Sequence, residues 1–124
     1  MPIRLLLVDD QASVRKGLRM RLALEPDLVV VGEAGDGVEA LRGVFQLEPD
    51  VVVMDIAMPR MDGLAAAEAL RTIAPACPVV MLTLHDNVAT RERARQAGVA
   101  AFVGKQSDDA VLLAAIRQVA AAQG

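Results

Sequence analysis

The segment Val51-Val52-Val53-Met54-Asp55, residues 51–55, places four consecutive apolar side chains directly before a carboxylate. The run is too short for a helix and does not alternate between apolar and polar residues, so it predicts a β-strand covered on both faces. Four further short apolar runs share this character, and they are residues 3–8, 28–31, 79–82 and 102–103. Five short buried strands are typical of a parallel sheet.

Longer stretches with helical spacing separate the predicted strands. In the first of them Val14, Leu18 and Leu22 fall on one face, as a helix that packs on a sheet requires. The predicted apolar stripe of the last is Leu113, Ile116 and Ala120. The five predicted helices cover about residues 13–24, 38–47, 64–73, 88–97 and 110–121.

Polar residues and glycines mark the predicted helix ends. Asp36 is followed three residues later by Glu39, which resembles a capping box at the start of the second helix. Asp62 before Gly63 is a favourable start for the third helix. Gly98 stands where the fourth helix should end, since glycine readily adopts the left-handed conformation found at helix C-termini.

The alternation of five strands with five helices predicts an α/β fold, a doubly wound (βα)5 sandwich around a five-stranded parallel sheet. With 124 residues and 54% hydrophobic content, the chain suits one domain with a real core and excludes disorder. No apolar run approaches the roughly 18 to 20 residues of a membrane span. The net charge of −3 argues against direct binding of nucleic acid, and the single cysteine, Cys77, favours a reducing, cytoplasmic location.

Polar residues follow the predicted strands at their carboxyl ends, where ligands bind in open α/β sheets. They are Asp9 and Asp10 after the first strand, Asp55 after the third, Thr83 at the end of the fourth and Lys105 after the fifth. Carboxylates about 4 Å apart repel by about 4 kcal/mol at an effective dielectric near 20, so three of them take up protons or hold a cation. Oxygen ligands suit Mg²⁺, and the cation would offset the charge of the cluster enough for a phosphoryl group to approach. A carboxylate of the cluster can then act as the nucleophile. Lys105 and the Thr83 hydroxyl would then contact the phosphoryl oxygens.

Four motifs, each following a predicted strand, together resemble the receiver domain of bacterial two-component response regulators, the CheY-like family. They are Val8-Asp9-Asp10, the decapeptide at 54–63, Leu82-Thr83 and Phe102-Val103-Gly104-Lys105. The resemblance covers about residues 3–121 and implies the strand order 2-1-3-4-5. Residues 1–121 are accordingly expected to form the receiver domain.

The resemblance implies a role for each matched residue around the acidic cluster. Asp55 is the expected phosphoacceptor, and Lys105 is expected to pair with the phosphoryl group. Asp10 is the expected direct ligand of Mg²⁺ or Mn²⁺, whereas Asp9 would act mostly through water. The Asp55 carboxylate and the backbone carbonyl of Ala57 are further expected metal ligands.

The same resemblance makes Thr83 and Phe102 a switch pair, in which the hydroxyl moves toward the phosphate and the ring turns inward. Two residues depart from the usual family pattern. Gln106 stands where many members have a cis proline, so the turn after Lys105 has either a strained cis bond or a different geometry. Leu84 stands where a small residue is common, which predicts narrower access to the site.

Residues 82–86 and 115–120 look like the NarL/FixJ subfamily, whose full-length members carry a helix-turn-helix DNA-binding domain after a linker. Residues 122–124 are then expected to begin that linker. The resemblance implies phosphorylation by a histidine kinase, repacking of the surface of the fourth helix, fifth strand and fifth helix, and homodimerisation. It implies contact with DNA only through the output domain and none with a membrane. The domain would be a signalling module with self-catalysed phosphotransfer and slow autodephosphorylation, not a turnover enzyme.

The sequence leaves several alternatives to the receiver-domain hypothesis open. A flavin carrier of the same fold needs a phosphate cradle after the first strand, where Asp9 and Asp10 stand instead. A hydrolase with an aspartyl-phosphate intermediate usually has an acid two residues after its nucleophile, where Ala57 stands. A stand-alone receiver and a phosphorylation-independent interaction module are further alternatives. Taken singly, Asp9 or Asp10 could cap the first helix, and Phe102 could be an ordinary core residue.

Overall fold

The structure, a computed structural model, describes residues 1–123. Within these residues five strands alternate with five helices, as the sequence predicts. The strands are β1 (Ile3–Val8), β2 (Leu28–Ala34), β3 (Val51–Met54), β4 (Val79–Thr83) and β5 (Ala101–Gly104). The helices are α1 (Ala12–Leu22), α2 (Gly37–Leu47), α3 (Gly63–Ile73), α4 (Val88–Gln96) and α5 (Asp109–Gln123).

All strands pair in parallel, in the order β2-β1-β3-β4-β5, which confirms the predicted doubly wound sheet. The register keeps the carboxyl ends of neighbouring strands level. Val8 at the end of β1 lies beside Met54 at the end of β3. At the ends of β4 and β5, Thr83 lies beside Gly104. Residues that follow these strands therefore emerge at one edge of the sheet.

Two apolar cores cover the two faces of the sheet. Leu5 and Leu7 of β1 pack with residues of α1 and α5 on one face. Leu6 and Val8 pack with residues of α2, α3 and α4 on the other. Because successive side chains of a strand point to opposite faces, a strand between two cores is apolar at every position. The uninterrupted apolar runs of the sequence are explained by this arrangement.

The predicted helix ends agree with the observed caps. The Asp36 carboxylate accepts a hydrogen bond from the Glu39 backbone N–H at 2.9 Å, and that of Asp62 accepts one from Ala65 at 2.9 Å. Gly98 adopts a φ of +87° after α4. There the next residue donates back to the Ala94 carbonyl, which completes a Schellman motif.

Strand β2 is longer than predicted. It extends from 28–31 to Ala34, and Gly32, Glu33 and Ala34 pair with β1 beyond an irregularity between Leu5 and Leu6. This extension lacks an apolar run because β2 lies at an edge of the sheet, where a charged side chain can reach solvent. The periodicity of apolar residues could not reveal it.

Helix α5 faces the core with a slightly different stripe from the predicted one. Its buried residues are Leu112, Ile116 and Val119. The predicted Leu113 and Ala120 are only partly buried beside the same core. The helix continues to Gln123, so the first two of the expected linker residues 122–124 are helical, and residue 124 lies outside the described residues. Among residues 1–123, none of the helices could cross a lipid bilayer.

Candidate functional site

Three carboxylates meet at the carboxyl edge of the sheet. Asp9 and Asp10 follow β1, and Asp55 follows β3, with its backbone N–H donating to the Val8 carbonyl at 3.0 Å. One side-chain oxygen from each of the three lies within 4.8 Å of the others. The parallel register of β1 and β3 causes this convergence, because each strand delivers its next residue to the same place.

The three carboxylates differ in exposure and in hydrogen bonding. Asp9 is only 2% exposed, Asp55 is half-buried, and Asp10 is exposed to solvent. One oxygen of Asp9 accepts the Gln11 backbone N–H at 2.9 Å, and one oxygen of Asp55 accepts that of Ile56 at 2.8 Å. These hydrogen bonds fix the orientation of the Asp9 and Asp55 carboxylates. The Asp10 carboxylate is exposed, so solvent reaches the cluster there.

Lys105 brings a positive charge into the cluster from the end of β5. Its Nζ lies 2.7 Å from an oxygen of Asp9 and 3.4 Å from an oxygen of Asp55. Its backbone N–H donates to the Thr83 carbonyl at 2.7 Å, which ties the residue to β4. The ammonium thus bridges two carboxylates that follow different strands, as the positions of these residues after their strands predicted.

The surroundings of Asp55 raise the pKa of its carboxyl above the usual range. Burial is the largest cause, and the nearby Asp9 carboxylate acts in the same direction. The Lys105 ammonium and the Ile56 N–H oppose the shift without cancelling it. Ionised Asp55 is therefore only partly compensated, and a further positive charge at the cluster would favour it.

The donor set fits a small divalent cation. Mg²⁺ prefers oxygen ligands and needs only one or two carboxylates from the protein, since it keeps several waters. Asp9, Asp10 and Asp55 supply three carboxylates, and exposed Asp10 leaves room for water. Ala57 lies in the exposed loop directly after Asp55, and the role of its carbonyl stays a prediction.

The two residues of the predicted switch pair lie on neighbouring strands. Thr83 is completely buried, and its hydroxyl oxygen accepts the His85 backbone N–H at 3.1 Å. Phe102 is half-buried beside the core under α2, α3 and α4. The hydroxyl that accepts this bond still has its own proton to donate.

The turn after Lys105 has no cis peptide bond, nor does any other part of residues 1–123. The turn therefore has the second of the two predicted geometries, one without a cis bond. The Ser107 N–H donates to the Gly104 carbonyl at 3.0 Å and closes this turn. Leu84 is exposed and lines a cleft of about 180 Å³ with Thr83 and Lys105. The prediction that Leu84 narrows access to the acidic cluster refers to this cleft.

Several residues support the site through contacts that the sequence did not predict. The side chain of Arg15 donates to the Asp9 carbonyl at 2.5 Å and pairs with Glu33 at 3.0 Å. Arg60 pairs with buried Asp36 at 2.7 Å and so joins the loop after β3 to the start of α2. No spacing rule predicts such pairs, because each joins two elements through long side chains.

Gly63 sets the distance between α3 and the site. A methyl group on this residue would lie 2.0 Å from the Asp55 carbonyl oxygen, and its N–H donates to the Ile56 carbonyl at 2.8 Å. Only glycine permits this approach of helix and strand. The sequence signals for Gly63 are its place after Asp62 and within the decapeptide 54–63, and neither predicts this close approach.

Comparisons with known proteins agree with this fold. A family model described as the response regulator receiver domain matches residues 5–117. The transcriptional regulatory protein UhpA of Escherichia coli is 40% identical over 118 residues, which cover 95% of this chain and 59% of UhpA. The nitrate/nitrite response regulator protein NarP of Escherichia coli is 37% identical, over 94% of this chain and 54% of NarP. The structure of a LuxR-family two-component response regulator from an Aurantimonas species superposes with a TM-score of 0.94 at 36% identity, covering 98% of this chain and 87% of that chain.

The chain belongs to the receiver-domain family of two-component response regulators, and its relatives include NarP and a regulator of the LuxR family. This confirms the resemblance noted from the four motifs. The chain spans between half and three fifths of the length of the curated relatives it matches. UhpA is described as a transcriptional regulatory protein and NarP as a response regulator. The receiver domain is a signalling module, not a classical enzyme.

Proposed function

We propose that Asp55 accepts a phosphoryl group with the help of a divalent cation and that the added charge switches the conformation of the domain. The observation that carries the proposal is the convergence of three carboxylates and the Lys105 ammonium at one edge of the sheet. Asp55 is the partly buried member of the cluster, and its second oxygen has only a longer contact with Lys105, at 3.4 Å. Asp9, by contrast, accepts a hydrogen bond at each of its oxygens.

The proposed step is an in-line transfer. A carboxylate oxygen of Asp55 attacks phosphorus, a new O–P bond forms, and the bond from phosphorus to the donor breaks. The electron pair of the broken bond leaves with the donor. The donor leaves as acetate from acetyl phosphate, and as a neutral imidazole from a phosphohistidine whose other ring nitrogen carries a proton. Lys105, already 3.4 Å from Asp55, holds the negative oxygens of the transferred group.

Mg²⁺ or Mn²⁺ is the proposed cofactor of this step. Asp10 and Asp9 would hold the cation, Asp10 directly and Asp9 mostly through water, with the Ala57 carbonyl and Asp55 as further ligands. When bound, the cation would offset the negative charge of the carboxylates and of the approaching phosphoryl group. The protein's own contribution is to keep the carboxylates assembled before the donor arrives.

Thr83 and Phe102 are the proposed switch pair. The Thr83 hydroxyl would turn to donate a hydrogen bond to a phosphoryl oxygen, and the Phe102 ring would move inward into the space that the hydroxyl leaves. Thr83 is buried at the end of β4 and Phe102 is only half-buried on β5, so the proposed movement takes the ring toward the interior. Phosphorylation would then alter the surface of α4, β5 and α5.

The proposed biological setting follows the named relatives. UhpA and NarP are described as regulators, so we propose that a histidine kinase supplies the phosphoryl group and that the phosphorylated domain forms a homodimer. Residues 1–121 would be the receiver domain, and residues 122–124 would lead to a DNA-binding output domain. The proposed location is the cytoplasm, with no contact to a membrane.

Incubation with acetyl phosphate and Mg²⁺, followed by intact-mass measurement, tests the proposal. We expect one added phosphoryl group that hydroxylamine removes, and no addition when the cation is chelated. The Asp55→Asn variant should remain unlabelled. Stoichiometric labelling of that variant would overturn the assignment.

Asp62→Asn is the matched control for this experiment. Asp62 lies in the same loop, and its carboxylate caps α3, a task that asparagine also performs. The control carries the same chemical change a short distance from the cluster and should be labelled as fully as the unsubstituted protein. Loss of labelling in both variants would mean that the loop, not the Asp55 carboxylate, is the sensitive feature.

A further inference from the structure

The outer side of Phe102 is covered by an arginine from α4. The guanidinium carbon of Arg91 lies 4.7 Å from the centre of the Phe102 ring, which is the geometry of a cation–π contact. The same guanidinium pairs with Asp86 through two hydrogen bonds, of 2.6 Å and 3.0 Å. Arg91 is thus oriented by a carboxylate on one side and rests on an aromatic ring on the other.

The surrounding backbone fixes both partners of this pair. Asn87 caps α4 by accepting the Thr90 N–H at 2.8 Å, which sets the first turn of the helix that carries Arg91. Asp86 precedes the cap and lies against β5, where a methyl group on Gly104 would be only 3.0 Å from its carboxylate. The pair therefore occupies a defined position, although both side chains are partly exposed.

A continuous series of contacts joins this arginine to the proposed switch. The Thr83 hydroxyl accepts the N–H of His85, the residue directly before Asp86. Asp86 holds Arg91, and Arg91 covers the ring of Phe102. A turn of the hydroxyl away from His85 would release the loop that carries Asp86, and inward movement of the ring would take it away from its contact with Arg91.

We propose that Arg91, oriented by Asp86, is a positioning residue that holds the Phe102 ring in its half-buried position and so favours the unphosphorylated conformation. This inference rests on the switch proposed above for Thr83 and Phe102. An exposed cation–π contact changes an equilibrium about two- to fivefold, so its loss should raise the population of the inward ring by that factor. Because the ion pair itself is exposed, its loss should hardly alter global stability.

The composition of the chain makes the position of this ring directly measurable. The sequence holds two phenylalanines and no tyrosine or tryptophan. Phe45 is 86% exposed on α2, so its ring signals serve as an internal reference for those of Phe102. In an NMR spectrum of protein with ¹³C-labelled phenylalanine rings, recorded without phosphodonor, we expect Arg91→Gln to shift the Phe102 signals and leave those of Phe45 unchanged.

Arg95→Gln is the matched control. Arg95 lies on the same helix and pairs with Glu92 on the exposed surface, so its substitution removes the same charge from α4 without touching the ring. Its Phe102 signals should match those of the unsubstituted protein. Asp86→Asn, which removes the carboxylate that orients Arg91, should shift Phe102 in the same direction as Arg91→Gln. Unchanged Phe102 signals in Arg91→Gln, or an equal shift in Arg95→Gln, would overturn the proposal.

The coupling to phosphorylation needs a second measurement. With saturating Mg²⁺, the rate of labelling by acetyl phosphate should rise about two- to fivefold in Arg91→Gln and remain unchanged in Arg95→Gln. A displaced ring with an unchanged rate would contradict the coupling. Failure of the unsubstituted protein to become labelled would instead contradict the proposed function, and the ring signals would still decide whether Arg91 holds Phe102.

Discussion

Buried Asp9 and half-buried Asp55 have different partners, and this difference separates their proposed roles. Asp9 is nearly inaccessible, and its carboxylate lies 2.7 Å from the Lys105 ammonium. Asp55 is farther from the same ammonium, at 3.4 Å, and burial raises the pKa of its carboxyl. The residue that we propose to react is therefore the one whose charge its neighbours compensate less well.

The substitution Asp55→Asn should raise Tm by a few degrees near pH 7 in the presence of a chelator. A raised pKa in the folded state means that ionisation of Asp55 costs stability, and asparagine keeps the bond from the Ile56 N–H without the charge. Below the ordinary pKa of 3.8 the carboxyl is protonated in both the folded and the unfolded state, so the gain should vanish near pH 3. Thermal unfolding of the original protein and of the variant at pH values between 3 and 7 measures this difference in Tm. A variant less stable than the original protein near pH 7 would contradict this account.

At the scale of the element, the sequence predicted strands whose side chains are buried and helix ends fixed by local hydrogen bonds. It missed the part of a strand whose extent depends on its place in the sheet. The apolar runs of β1 and β3 identify these strands because both of their faces meet a core. The end of β2 has no such signal, since Gly32 and Glu33 lie in an edge strand. Asp36 and Asp62 mark the starts of α2 and α3 because a capping bond is local in the chain.

The candidate site shows the same division. The convergence of Asp9, Asp55 and Lys105 follows from strand order, so the sequence could predict it once the parallel sheet was inferred. The contact of Arg91 with Phe102 could not be predicted, because it depends on how α4 lies on the sheet. Contacts that follow from the sheet topology can be predicted from a sequence. Contacts between long side chains of different elements cannot.

Helix α3 provides a test of how closely elements pack around the site. A methyl group at Gly63 would overlap backbone atoms that cannot rotate away, so Gly63→Ala should destabilise the protein by about 2 kcal/mol or more. The displacement of α3 from β3 should also weaken Mg²⁺ binding. Gly17→Ala is the matched control, because nothing lies within 4 Å of its added methyl group. That variant should be about 0.5 to 1 kcal/mol more stable, since alanine favours a helix.

Urea unfolding of the two alanine variants measures both effects. A Gly63→Ala protein that is as stable as the original would contradict the close packing of α3 on β3. Equal loss of stability in both variants would mean that alanine is harmful for a reason other than its contact with the Asp55 carbonyl.

At the scale of the whole molecule, the sheet with its two cores forms a rigid support with its charged cluster at one edge. The elements that hold the carboxylates and Lys105 are the central strands β1 and β3 and the edge strand β5. A cation bound to the cluster therefore contacts residues far apart in the chain. It should stabilise the folded state as a whole, because the unfolded chain does not hold these ligands together.

Mg²⁺ should accordingly raise Tm in a concentration-dependent way. At ten times the dissociation constant, the expected stabilisation is about 1.4 kcal/mol. The rise should be lost in Asp10→Asn and kept in Asp62→Asn, whose carboxylate caps α3 outside the cluster. Calorimetric scans of the three proteins over a series of Mg²⁺ concentrations give the comparison. An equal rise in all three would show that the cation binds elsewhere.

The most direct test of the central claim is to locate the phosphoryl group on the chain. Borohydride reduces an acyl phosphate of aspartate to homoserine, and peptide mass spectrometry then identifies the altered position. We predict homoserine at position 55 and unaltered aspartates at positions 9 and 10. Homoserine at either of those two positions, or at an aspartate outside the cluster, would contradict the assignment of Asp55 as the phosphoacceptor.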